Sequence, residues 1–130
     1  MGSVRRVLVA DDDREMLDMV SRVLSRLGLD VIPATSGGDL LEKIANQGPF
    51  DLVVTDVSMP WMSGLQVMHS ARSAGQLCPV IVMTGLRDQR TADEVRSLGV
   101  EVRRLNKPFS VDELESMVRA SLPLAVAVAC

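Results

Sequence analysis

The chain has 130 residues, enough for one domain around one core, and its apolar share of 47% and charged share of 24% are those of an ordinary globular protein. A net charge of −3 gives no general attraction to nucleic acid or to acidic membranes. No apolar run approaches the roughly 18 residues of a membrane span, no signal peptide is visible, and two thiols without motif spacing, Cys78 and Cys130, suit a reduced, cytoplasmic setting better than a staple or a metal site.

The first strand is predicted at 4–10, where Val7-Leu8-Val9-Ala10 runs into Asp11-Asp12-Asp13. A helix follows at 14–27, apolar at Met16, Leu17, Met19, Val20, Val23, Leu24 and Leu27, with Gly28 as its stop. A strand at 29–34 leads through Ser36-Gly37-Gly38 to a helix near 38–46, which stops at Gly48-Pro49. The third strand, 51–55, runs into Asp56, and its loop, Val57 to Ser63, holds Met59-Pro60-Trp61-Met62 before a helix near 64–74. A fourth strand at 79–83 runs into Thr84, with a helix near 88–98 stopped by Gly99. A fifth strand at 100–105 leads to Lys107-Pro108, and Ser110 with Glu113 three residues on reads as a capping box for a helix near 111–121.

Five βα repeats with short connections and near-continuous apolar strands are marks of a parallel sheet covered on both faces. The expected fold is therefore α/β and doubly wound, with one domain over 1–122 and an apolar tail at 123–130, either a linker or a cut end.

In such a sheet, functional groups gather in the crevice at the carboxyl ends of the strands. Four strand ends here carry carboxylates (Asp11, Asp12, Asp56), one hydroxyl (Thr84) and one ammonium (Lys107). Each alone has an ordinary reading as a helix cap, a solvated turn or a surface loop, but together, in order, they read as one phosphoryl site. Clustered carboxylates raise one another's pKa unless a cation neutralises them. Mg²⁺ fits one or two carboxylates plus water and phosphate oxygens. Asp56 is then a carboxylate nucleophile able to form an acyl phosphate, with Thr84 and Lys107 sharing the phosphoryl oxygens. Twelve of the 14 basic residues are Arg, so a Lys beside Pro108 suggests a compact ammonium is wanted there.

These segments resemble the receiver domain of two-component response regulators over essentially residues 4–121. Val7 to Asp13 resembles that family's opening strand and acidic pair, and Asp56-Val57-Ser58-Met59-Pro60-Trp61-Met62-Ser63-Gly64 resembles its phosphoacceptor loop. Thr84-Gly85 resembles the switch Thr and its small neighbour, and Lys107-Pro108-Phe109 the Lys-Pro-Phe segment. The resemblance implies a flavodoxin-like (βα)5 three-layer sandwich of strand order 2-1-3-4-5. It implies that Asp56 takes a phosphoryl group from a phosphohistidine on a sensor histidine kinase or histidine phosphotransfer protein. It further implies Mg²⁺ held by Asp12, Asp56 and the Ser58 carbonyl, with Asp11 acting mainly through water, and room over the phosphoryl group at Gly85. Lys107–Pro108 is implied as a cis bond. The domain would catalyse its own phosphorylation and slow dephosphorylation without being a conventional turnover enzyme, would bind neither nucleic acid nor membrane directly, and would sit in the cytoplasm.

Two positions depart from the family pattern. Arg104 stands where Tyr or Phe is common, three residues before the Lys, and reads as a solvated edge-strand charge, as the partner of an acid on another protein or on the preceding helix, or as a switch residue in the ring's place. Trp61 occupies a position that is usually small or polar, and reads as a lid over the loop or as part of a docking surface. His69 reads as a surface histidine. Met16 and Met19 read as core packing, with a partner-facing patch as the sharper option. Arg87, Arg90, Arg96, Arg103, Arg104 and Arg119 face Asp88, Asp93, Glu94 and Glu101 across the last two predicted helices, a mix that would serve a homodimer. The rival functions are a haloacid-dehalogenase-type phosphohydrolase, against which Glu15 stands where that motif wants Thr or Val, and a degenerate receiver acting only by binding.

Overall fold

The computed structural model describes residues 4–59, 62–75, 78–85 and 102–125, with side chains described as far as Leu122. Its elements are β1 (Arg6–Ala10), α1 (Arg14–Arg26), β2 (Asp30–Ala34), α2 (Gly37–Gln47), β3 (Leu52–Asp56), α3 (Gly64–Ser73), β4 (Val80–Gly85), β5 (Val102–Lys107) and α4 (Val111–Ala125). The strands form one parallel sheet in the order β2-β1-β3-β4-β5, the flavodoxin-like arrangement expected. The helix predicted near 88–98 and Trp61 lie outside the described residues. No helix among the described residues is long and apolar enough to cross a membrane.

Alternation along the strands builds two cores, one on each face of the sheet. Leu8, Val53, Val80 and Val82 turn to one side and pack with Leu40 and Ile44 of α2 and Leu65 and Met68 of α3. Val7, Val9, Val54, Ile81 and Met83 turn to the other and pack with Leu17, Val20 and Leu24 of α1 and Leu114 and Val118 of α4. Met16 and Met19 are partly buried against this second core, the packing role expected of them. Pro33 is tolerated in β2 because that strand is an edge, where a missing N–H need not face a neighbour.

Helix starts follow the polar residues that precede them. Asp13 accepts from the backbone N–H groups of Glu15 and Met16 to cap α1, and Ser36 accepts from Asp39 to cap α2. Ser63 with Gln66 and Ser110 with Glu113 form reciprocal capping boxes. Both Gly48–Pro49 and Lys107–Pro108 are cis, the second as the resemblance implies.

Three sequence expectations change. β4 and β5 run two residues further than their apolar runs, because the ladder continues through polar pairs, Thr84 with Asn106 and Gly85 with Lys107. Helix α4 extends to Ala125, beyond the end expected at 121. Cys78 is fully buried and disulfide-bonded, where a free thiol was expected, since spacing along the chain does not report proximity in the fold.

The loop after β3 is shaped by two close backbone approaches. A Cβ on Gly64 would collide with the Asp56 carbonyl oxygen and stand 2.5 Å from the Thr55 hydroxyl, while one on Gly37 would collide with the Met62 carbonyl. Glycine at 64 therefore lets α3 start directly against the end of β3, where Gly64 N–H donates to the Val57 carbonyl. Gly64→Ala should lower the urea midpoint by an amount equivalent to about 1–3 kcal/mol, the usual cost of overpacking. Gly38→Ala, whose added methyl would meet nothing closer than 3.9 Å, should leave it unchanged or slightly raised. Equal behaviour of the two variants would contradict this account of the loop.

Candidate functional site

The strand order places the ends of β1, β3, β4 and β5 side by side, and so brings together residues up to 96 positions apart. Asp11 follows β1, Asp56 ends β3, Thr84 and Gly85 end β4, and Lys107 ends β5. Asp11 is fully buried, Thr84 and Asp56 are buried, and Asp12 is exposed. One carboxylate oxygen from each of Asp11, Asp12 and Asp56 lies within 4.8 Å of the others.

Lys107 holds this group together. Its Nζ donates to Asp11 Oδ2 at 3.1 Å and lies 3.3 Å from Asp56 Oδ1. The second oxygen of Asp11 accepts from the Asp13 backbone N–H at 2.9 Å, so both Asp11 oxygens are engaged within the protein. Asp56 is supported from behind. The Thr55 hydroxyl, itself buried, donates to the Asp56 carbonyl at 3.1 Å and fixes the backbone from which the carboxylate projects.

Charge in the pocket is out of balance. Burial, and then the Asp11 carboxylate, push the Asp56 pKa above the ordinary carboxylate value, and Lys107 only partly offsets them. Burial alone would lower the pKa of Lys107, but the charges of Asp56 and Asp11 outweigh it and raise the ammonium's pKa. Three carboxylates against one ammonium leave excess negative charge among hard oxygen donors. That donor set fits a divalent cation such as Mg²⁺ with open positions for water or phosphate oxygens.

The remaining predicted residues surround this centre. Ser58 lies two residues beyond Asp56 and is exposed, and Gly85 is exposed, with no atom of the described residues within 4 Å of where a Cβ would stand. Arg104 is exposed on the edge strand β5, paired in register with Val82. Of the charged face proposed for a homodimer, Arg103 is half-buried and Arg104 and Arg119 are exposed, while the rest lies outside the described residues. His69 is exposed on α3. Two contributors escaped sequence reading. Neither Thr55 nor Asn106 is singled out by motif or spacing. Asn106 in fact accepts the Thr84 hydroxyl proton at 3.0 Å; only the register of β4 on β5 brings it there.

Comparison with known proteins agrees with this fold. Residues 7–119 match the family model described as the response regulator receiver domain. The chain belongs to the response regulator receiver domain family. Response regulator MprA of Mycobacterium sp. (strain KMS) is 39% identical over 120 residues, which are 90% of this chain and 50% of that protein. The chain thus spans about half the length of the curated relatives it matches. Among solved structures, a CheY-like receiver domain protein from Methanospirillum hungatei JF-1 is 26% identical with a TM-score of 0.87, covering 96% of this chain and 98% of that one. Chemotaxis response regulator CheY4 of Vibrio cholerae is 28% identical with a TM-score of 0.82, covering 92% and 100%. The receiver domain is the signalling domain of two-component phosphorelays, and neither the phosphohydrolase reading nor the binding-only reading is favoured.

The pocket's charge imbalance has a consequence for stability. A carboxyl whose folded pKa is raised destabilises the fold once ionised, and the cost develops as pH rises from the unfolded value through the folded one. In metal-free buffer at pH 7, Asp56→Asn should therefore raise Tm by a few degrees, and the gain should shrink toward zero as pH falls below the ordinary carboxylate value. Lys107→Ala should lower Tm at pH 7, because it leaves two buried carboxylates without a counter-charge. Thermal melts in chelator at pH 7 and at about pH 3, below the ordinary carboxylate value, check both; a fall in Tm for Asp56→Asn at pH 7 would contradict the account of the buried carboxyl.

Proposed function

We propose that this receiver domain takes a phosphoryl group onto Asp56 from a phosphohistidine of a sensor histidine kinase or a histidine phosphotransfer protein. The observation that carries this reading is Asp56 itself: a buried carboxylate at a strand end, with its pKa raised and the Lys107 ammonium 3.3 Å away. An Asp56 carboxylate oxygen attacks phosphorus, the P–N bond to the donor imidazole breaks, and its electron pair stays on the imidazole nitrogen. The product is an acyl phosphate on Asp56. Transfer of this kind rests on positioning and charge stabilisation, since the phosphoryl oxygens carry the charge that must be met.

Asp12 and Asp56, with the backbone carbonyl of Ser58, would hold Mg²⁺ directly, and Asp11, whose oxygens are engaged by Lys107 and the Asp13 N–H, would act mainly through water; the ion supplies charge neutralisation for the carboxylates and the incoming phosphoryl oxygens. Lys107 needs only to turn from Asp56 Oδ1 to a phosphoryl oxygen while it keeps its bond to Asp11. The Thr84 hydroxyl donates to another phosphoryl oxygen, and Gly85 leaves the approach open. Slow hydrolysis of the acyl phosphate returns the domain to its starting state. In this reading Thr84 and Gly85 form the switch, and Arg104 stands on the strand that the switch perturbs. The output passes to an attached domain, a separate protein or a second copy of the chain as a homodimer. The same reading places the domain in the cytoplasm, with its kinase.

Intact-protein mass measured with Mg²⁺ and acetyl phosphate should show one added phosphoryl group on the wild type and none on Asp56→Asn. The modification should be removed by hydroxylamine, as an acyl phosphate is. Phosphate on Asp56→Asn, or phosphate resistant to hydroxylamine, would overturn the assignment.

A further inference from the structure

The described residues contain one contact at the switch that the proposed phosphoryl chemistry does not use. The Thr84 hydroxyl, on a side chain almost fully buried, donates its proton to the side-chain carbonyl of Asn106 at 3.0 Å. Parallel pairing of β4 and β5 puts Thr84 and Asn106 side by side, on the same face of the sheet. A threonine hydroxyl has one proton to donate. Phosphoryl oxygens only accept. Thr84 therefore cannot donate to Asn106 and to a phosphoryl group on Asp56 at the same time.

We infer that Asn106 is a positioning residue that holds Thr84 in the unphosphorylated arrangement, and that it sets how readily the switch is thrown. The inference rests on the reading of Asp56 and Thr84 given above. Asn106 competes for the one proton that the phosphoryl group needs, so phosphorylation must break the Thr84–Asn106 bond before the hydroxyl can turn inward. Exposure of Asn106 makes this a light latch. When Thr84 leaves, the amide oxygen returns to water, and no buried acceptor is left unsatisfied. A buried partner would have made release far more costly. A ligand shifts a two-state equilibrium only by its differential affinity for the states, and loss of the Asn106 bond is a fixed deduction from that difference. The two-state element thus consists of a hydroxyl and an amide, and it requires no aromatic ring at position 104.

The test uses the whole chain with beryllium fluoride and Mg²⁺ as the phosphoryl mimic, and reads apparent affinity from amide NMR titrations. Asn106→Ala, a change at an exposed position, should tighten binding roughly three- to ten-fold, the worth of one ordinary hydrogen bond. In a Thr84→Val background the same substitution should change nothing, because the proton in contention is gone. In the wild type, the Asn106 side-chain NH₂ resonances should move when the mimic binds, and in Thr84→Val they should stay in place. Unchanged or weaker binding by Asn106→Ala, alongside weakened binding by Thr84→Val, overturns the latch and leaves the phosphoryl reading intact. An equal gain in both backgrounds also overturns it, since Asn106 would then act without Thr84. Wild-type protein that does not bind the mimic overturns the phosphoryl reading and this inference with it, whereas Thr84→Val that binds as tightly as wild type overturns the role of Thr84 and this inference but leaves Asp56 as the acceptor.

Discussion

The site depends on the bridge that Lys107 makes between the buried carboxylates of Asp11 and Asp56. Two carboxylates at the end of a closely packed sheet would be costly in isolation, and a single ammonium makes the pocket tolerable without making it neutral. The pKa of Asp56 is raised first by its burial and then by the Asp11 charge, and Lys107 offsets them only in part. That residual imbalance gives the pocket an affinity for added positive charge, and it leaves Asp56 a basic oxygen nucleophile. Structure and chemistry are therefore coupled through the same three groups. Lys107 sits on the strand that also carries Asn106, so the carboxylates and the Thr84 contact share β5.

The sheet supplies the remaining constraint. Order β2-β1-β3-β4-β5 puts the acidic ends of β1 and β3 next to one another and the ends of β4 and β5 beside them. Because β3 is buried along its whole length, Asp56 has little freedom to retreat into solvent. Its backbone is fixed by the Thr55 hydroxyl and by the close approach of Gly64. On the other side, β5 is an edge strand, so Asn106 and Arg104 are exposed and their contacts are easily exchanged for water. A rigid carboxylate therefore faces a strand whose side chains can rearrange, which is what a phosphorylation switch requires of its two halves.

Much of this was legible in the sequence, because it rests on short-range signals. Strand-like runs marked every described strand, and Ser110 with Glu113 marked the start of the last helix, which the structure confirms. Asp11, Asp56, Thr84 and Lys107 could be assembled because each follows such a run. What was not legible depends on pairing between strands. β4 and β5 continue through polar residues that no hydropathy pattern marks as strand, and Asn106 reaches Thr84 only by register. The same limit applies to Gly64, whose need for a bare Cα comes from an approach to β3, and to Cys78, whose pairing no spacing announces. The resemblance anticipated an outer role for Asp11, but its fully buried place on Lys107 required the packed structure.

The most direct test of the central claim is a ¹³C NMR titration of the Asp56 side-chain carboxyl with and without Mg²⁺. Without metal, the carboxyl should titrate above the ordinary aspartate value, because burial and Asp11 oppose its charge more strongly than Lys107 favours it. With saturating Mg²⁺ its midpoint should fall. An Asp56 that titrates at or below the ordinary value in metal-free protein, with no response to Mg²⁺, would contradict the account.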